Sequence, residues 1–205
     1  MSPAPLPGHR GTVAPLRRRD VDTDQIIPAE FCKRLGRTGY ADTLFHRWRE
    51  DPGFVLNQPA FGGASILVAG PDFGIGSSRE HAVWALRDFG FRAVVAPGFG
   101  DIFRANAGKN QLLTAQVTEA EVERLWQLVE AAPDTVVALD LTRRTVAAGG
   151  RRFPFSIDDH SRRMLIDGLD DIQLTARRAG SIEEHEAFRP GWLPRTPRTP
   201  QSATD

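Results

Sequence analysis

Residues 72–86, DFGIGSSREHAVWAL, set Gly74, Gly76, Ser77, Ser78, Arg79, Glu80 and His81 at the mouth of a predicted helix. Three kinds of chemistry suit such a stretch. Ser77 and Glu80 satisfy S-x-x-E, the spacing of a capping box, and the glycines before them permit a tight strand-to-helix turn. A dinucleotide cradle needs a third glycine three residues after Gly76, where Arg79 stands, and an acidic residue after the next strand, where Pro97 and Gly98 follow. The G-K-[ST] of a triphosphate loop is also missing. A carboxylate-gripping catalytic loop is the third option. A helix start offers unpaired N–H groups and partial positive charge, and Arg79 adds a fork that takes a carboxylate with two parallel bonds. Ser77 or Ser78 acts as a base only where cations and helix amides stabilise the alkoxide. His81, one turn beyond Ser77, belongs at most to the surroundings of that group. Local chemistry leaves the capped turn and the catalytic loop both standing. They are compatible, because a catalytic serine can sit at a helix cap.

The elements that must position this loop follow from hydrophobic period. ASILVAG (64–70) and FRAVVAP (91–97) are compact apolar runs that predict buried strands, with the helix after the loop ending at Gly90 between them. That βαβ pattern implies a parallel pair with a right-handed crossover. GTVAPL (11–16) predicts a further strand, GDIFRANAGKN (100–110) a short helix and QLLTAQV (111–117) a third buried strand. Thr118 and Glu121 predict a capping box opening a helix over 118–130. The period then changes to strands at 135–141, 144–150 and 151–157, with Gly149-Gly150 as a hairpin turn. Helices are expected over 158–168 and 181–188, and Leu44, Phe45 and Trp48 have helical spacing in 41–48. The segment 20–31 predicts a polar turn and 32–40 a mobile loop. The order is α/β followed by antiparallel strands, which suits a three-layer, barrel-like β/β/α domain over residues 1–190 with a disordered tail at 191–205.

Composition narrows the function classes. The 205 residues carry 26 basic and 26 acidic side chains, so no net field argues for nucleic acid or an anionic membrane. No apolar run is long enough to span a bilayer and no secretory signal opens the chain, which leads to a cytoplasmic expectation. Cys32 is the one cysteine, so no internal disulfide forms, and one thiol cannot by itself hold a structural zinc or an iron–sulfur cluster.

Four motifs carry a family resemblance. FGIGSSREHAVWAL resembles the F-G-C-G-S-S-R-E-H-A-x-W-A-L motif of 3-isopropylmalate dehydratase small subunits. DVDTDQIIPAEF is similar to that family's D-T-D-x-I-I-P segment, DIFRANAGKNQLL to its D-I-F-x-x-N-x-x-x-N-x-L-L segment, and DGLDDIQLT to its G-L-D-x-I-x-L-T segment. The motifs run in order from about residue 9 to 188.

The resemblance implies the swivelling domain of the aconitase C-terminal type, standing as a separate chain that pairs with a large subunit in a heterodimer or heterotetramer. It implies a [4Fe–4S] cluster carried by that large subunit and none bound by this chain alone. The implied reaction moves the hydroxyl of 2-isopropylmalate, through isopropylmaleate, to give 3-isopropylmalate in leucine biosynthesis. By resemblance Ser77 is the base that takes the carbon-bound proton, and Ser78, Arg79 and Gly76 bind substrate carboxylate. Arg37 is the candidate contact from the loop that varies with substrate. Asp22, Thr23 and Asp24 either shape the site edge or form a hydrogen-bonded turn, and Asn106, Lys109 and Asn110 are structural. Three departures stand out: Ile75 replaces a cysteine that ligates no cluster, Gly108 replaces a larger helical residue, and Thr114 replaces a proline. They leave open a related dehydratase subunit for homoaconitate, citramalate or a specialised-metabolite precursor. A non-catalytic assembly subunit is the other alternative, and intact Gly76-Ser77-Ser78-Arg79 argues against it.

Overall fold

The computed structural model describes residues 4–194, so most of the expected tail, from residue 195 on, lies outside the described residues. The chain divides into two compact units, one running to Asp170 and one starting at Asp171. In the first unit the strands are β1 (Gly8–Gly11), β2 (Val13–Leu16), β3 (Ile66–Ala69), β4 (Ala93–Ala96), β5 (Leu113–Gln116), β6 (Val137–Asp140), β7 (Thr145–Ala148) and β8 (Arg151–Pro154). Its helices are α1 (Thr23–Ile26), α2 (Glu80–Phe89), α3 (Asp101–Lys109), α4 (Glu119–Ala131) and α5 (Asp159–Asp167).

The strands form two four-stranded sheets. One is parallel with the order β2-β3-β4-β5, and the other is antiparallel with the order β1-β6-β7-β8. Every residue of β2, β3 and β4 is buried, because the parallel sheet is covered on both faces. Alternation along the strands sorts their side chains into two cores. Val13, Ile66, Val68, Ala93, Val95, Leu113 and Ala115 pack with Val137, Leu139 and Val146 of the antiparallel sheet and with Val122, Leu125 and Val129 of α4. Ala14, Leu16, Leu67, Ala69, Val94 and Ala96 pack against α2, α3 and the loops of 26–61. The β/β/α layering expected from the sequence is the observed one.

Several elements differ from expectation. The strand expected at 11–16 is present as β2, and an unexpected strand, β1, precedes it in the other sheet: β1 pairs with β6, and after Thr12 the chain crosses so that β2 pairs with β3. His9 Nε2 and Ser65 Oγ, 2.7 Å apart, stitch this crossing, and burial, helped by Arg92, pushes the His9 pKa down. Residues 41–48 form no helix. Short 3-10 turns lie at Ala41–Thr43 and Trp48–Glu50, since the Phe45 N–H donates to Ile26 O at 2.8 Å and the Phe45 ring stacks on Trp48 within the core. Residues 20–31 hold more than a turn. Asp22 caps the one-turn α1 through a complete capping box with Gln25.

The hairpin turn at Gly149-Gly150 joins β7 to β8 with both φ angles positive, as the right-handed strand twist requires. Gly108 does not break α3. A Cβ there would lie 2.9 Å from that of Ser161, so the missing side chain is what lets α5 approach. In the second unit, α6 (Asp171–Ala176) forms where no helix was expected, and α7 (Ala179–Ala187) lies close to the expected helix. Among the described residues no helix is long and apolar enough to cross a membrane.

Candidate active site

The loop of Gly74 to Arg79 leaves the carboxyl end of β3, the edge of a parallel sheet where ligands gather. Two neighbouring segments hold its backbone. On one side Gly74 N–H donates to Val21 O at 2.7 Å, Thr23 N–H donates to Ile75 O at 3.0 Å, and Asp22 and Ile75 form a parallel bridge. On the other side Phe73 bridges Phe99, and Gly100 N–H donates to Phe73 O at 2.9 Å. The loop is thus a short strand wedged between the turns after β2 and β4.

Ile75 takes part through its backbone. A side chain other than the family's usual cysteine therefore leaves the bridge in place. Gly74 has φ +76 and faces Phe103, whose Cγ would lie 2.3 Å from an added Cβ. Only glycine fits both the dihedral and the space. Gly76 is also left-handed, at φ +91, and the Thr23 hydroxyl donates to the Ser77 carbonyl at 3.1 Å.

This backbone turns the functional groups outward. Ser77 and Ser78 are exposed, and among the described residues neither hydroxyl has a hydrogen-bond partner. The expected capping box between Ser77 and Glu80 is not formed. The helix starts later, with Arg79 at the N-cap and no side-chain cap. Glu80 is unavailable because Asn110 Nδ2 donates to its carboxylate at 2.7 Å, while Trp84 Nε1 donates to Asn110 Oδ1 at 3.0 Å. Asn110 thereby ties the start of α2 to the end of α3, the structural part expected of it. The first amides of α2 keep their capacity to donate, at the positive end of the helix dipole.

Arg79 lies mostly packed, with its side chain 18% exposed. Its Nη1 donates to Asp24 Oδ1 at 2.5 Å and leans toward Ile27 O at 3.4 Å. The bond to Asp24 raises the Arg79 pKa further, so the guanidinium is charged at every working pH. Neither partner was legible in the sequence, since more than fifty positions separate Arg79 from each and neither lies at a local spacing. Cys32 stands in the same neighbourhood. Burial pushes its thiol up, and Arg79 pulls the other way.

His81 is enclosed by rings, with centroids 5.5 Å from Tyr40 and 4.6 Å from Trp84. Arg37 is exposed, and no described residue bonds to it. Its loop is anchored at both ends. Arg34 grips Asp42 with two bonds of 2.8 and 2.7 Å and donates to Gly39 O, while the Tyr40 hydroxyl donates to the carbonyls of Arg34 and Gly36. The structure thus brings Gly76, Ser77, Ser78 and Arg79 together on one edge and holds Arg37 on a separately braced loop.

Fold and loop together define a class: a two-sheet α/β domain that exposes hydroxyls beside a guanidinium at the edge of its parallel sheet. The aconitase C-terminal domain family matches residues 4–120. The 3-isopropylmalate dehydratase small subunit of Acidothermus cellulolyticus is 58% identical over 94% of this chain and 98% of that relative. That of Nocardia farcinica is 55% identical over 95% and 96%. The crystal structure of 3-isopropylmalate dehydratase from Methanocaldococcus jannaschii superposes with TM-score 0.65, at 24% identity, over 86% of this chain and 99% of that one, and supports the fold. The chain belongs to the 3-isopropylmalate dehydratase small-subunit family, within the aconitase C-terminal domain family.

Proposed function

We propose that this chain supplies the proton-transfer and carboxylate-binding edge of a heteromeric hydro-lyase that converts 2-isopropylmalate to 3-isopropylmalate through isopropylmaleate, in leucine biosynthesis. The observation that carries the proposal is the pair of exposed, unpartnered hydroxyls of Ser77 and Ser78 beside Arg79 at an uncapped helix start. A substrate with two carboxylates needs donors that no group of the protein already occupies, and this turn keeps them available.

Ser77 Oγ, as alkoxide, takes the proton from the carbon beside the carbinol carbon. The hydroxyl departs as water with a proton from an acid on the large subunit, leaving the alkene. In the return step water adds to the carbon that lost its proton and gives its spare proton back to that acid, and Ser77 delivers a proton to the carbon that lost its hydroxyl. The α2 amides and the Arg79 charge stabilise the alkoxide. Ser78, Arg79 and the Gly76 backbone hold a carboxylate, and Arg37 reaches the substrate from its own loop.

Residues of this chain do not fit an iron–sulfur cluster. Among the described residues no group of three or more His, Cys, Asp or Glu could hold a metal ion, and Cys32 is a lone thiol. The [4Fe–4S] cluster of such an enzyme therefore takes its ligands from a large subunit, the partner this reading requires. A free thiol suits a reducing, cytoplasmic setting.

Reconstitution tests the proposal. The chain is mixed with its candidate large subunit and assayed on isopropylmalate, homoaconitate and citramalate. Turnover of isopropylmalate by the pair, and by neither chain alone, is the expected result. Turnover by this chain alone, or a preference for another substituted malate, overturns it.

A further inference from the structure

We infer that Asp24 is a positioning residue for this reaction: by holding one nitrogen of Arg79, its carboxylate aims the opposite edge of the guanidinium at the substrate carboxylate. The inference rests on the proposed part of Arg79 as the carboxylate grip and adds what fixes its direction.

Asp24 lies in the single turn of α1, and that turn is itself locked. Gln25 N–H donates to Asp22 Oδ1 at 2.7 Å, and Asp22 N–H donates to Gln25 Oε1 at 3.0 Å. The same segment bridges the catalytic loop through Asp22 and Ile75 and holds the Ser77 carbonyl through Thr23. Asp24 thus rides on the segment that also sets Ser77. Its bond at 2.5 Å engages Nη1 alone, and Ile27 O shares that nitrogen at 3.4 Å. No described residue takes a hydrogen from Nη2 or Nε of Arg79. A guanidinium is planar and rigid, so with the side chain packed, holding one nitrogen narrows the directions open to the others. The exposures differ in the same sense: Arg79 is packed at 18%, whereas Asp24 stands at 54%. The exposed acid holds a half-buried cation whose Nη2 and Nε have no acceptor among the described residues.

Two consequences separate this from a surface ion pair. With Asp24 removed, Arg79 keeps only the long contact to Ile27 and regains rotamer freedom, so the substrate must do the ordering. Orientation also needs an acceptor oxygen at that place more than it needs a charge, so asparagine serves nearly as well as aspartate.

The test uses the complex reconstituted with its large subunit. Asp24→Ala should raise KM about tenfold while kcat falls less than about fivefold, the pattern of lost ground-state orientation. Asp24→Asn should return kcat/KM to within about threefold of the wild type, because its Oδ1 still accepts. In an Arg79→Ala background, Asp24→Ala should add nothing, since two residues acting as one unit are not additive. Wild-type KM in Asp24→Ala overturns the inference, as do losses that multiply in the double variant, or an assembled Asp24→Asn complex as impaired as Asp24→Ala. If Asp24→Ala does not assemble, the asparagine variant decides. Wild-type kcat/KM in Arg79→Ala would instead remove the carboxylate grip itself, so failure of the underlying reading is told apart from failure of this one.

Discussion

Within the first unit, helices α4 and α5 begin under side-chain caps, with Thr118 accepting from Glu121 N–H and Asp158 from Ser161 N–H, whereas α2 and α3 begin bare, at Arg79 and Gly100. The bare pair shares one neighbourhood, since the loop of 73–77 lies against the segment 98–100 that leads into α3. Capping residues are not scarce there. Ser77 and Ser78 immediately precede α2, and Glu80 opens it, yet the serines face outward and the glutamate is held by Asn110. A cap contributes about 1 kcal/mol, so leaving it out costs stability. Within the first unit the contrast agrees with the proposed function: a side-chain cap stabilises α4 and α5, and the start of α2 keeps its donors open beside the proposed carboxylate grip.

Three experiments bear on that contrast, in falling order of expected effect, and a fourth concerns the strand crossing. Ser77→Ala should lower kcat of the reconstituted enzyme by roughly 10³-fold, in the range of a lost general base, with thermal stability unchanged. A drop in Tm worth a cap would show instead that Ser77 caps α2 after all. Gly74→Ala forces a side chain into a left-handed backbone against Phe103, and should cost about 2–4 kcal/mol in chemical denaturation. Unchanged stability would mean that the loop is not braced there. Thr118→Ala should cost about 1 kcal/mol and leave turnover by the assembled enzyme unaltered. An activity loss there would dissolve the distinction between the two helix starts.

The smallest effect concerns His9. Its pKa is lowered from 6.5 in the folded chain, so the unfolded chain binds the proton more readily below that value. The contribution is complete above pH 6.5 and is lost as pH falls through the lowered pKa. His9→Gln should therefore flatten the decline of Tm with pH below 6.5. An unchanged slope would place the acid sensitivity elsewhere.

Much of the architecture was legible because it is local. Strands β3, β4 and β5 announce themselves as short apolar runs, the later strands by alternation, and the cap of α4 by Thr118 and Glu121. What failed was decided by distant partners. β1 has no apolar run of its own, and only its pairing with the distant β6 makes Gly8–Gly11 a strand. Trp48 sits at helical spacing, yet core packing breaks 41–48 into turns. Glu80 sits at capping-box spacing, yet Asn110 holds it. The candidate site residues stand out in the sequence through a motif and through the anion chemistry of a helix start. Asp24 lay in plain view within a second motif, but its tie to Arg79 joins two segments that only the fold brings together.

The crossing at Thr12 also governs the order in which the chain can assemble. Gly8 finds its partner in Asp140, so β1 waits during synthesis while most of the domain is made, on the order of ten seconds at ordinary elongation rates. Through that interval its peptide groups are an open ribbon edge, and its short, glycine-flanked, arginine-bearing sequence is a poor template for pairing with a neighbouring nascent chain.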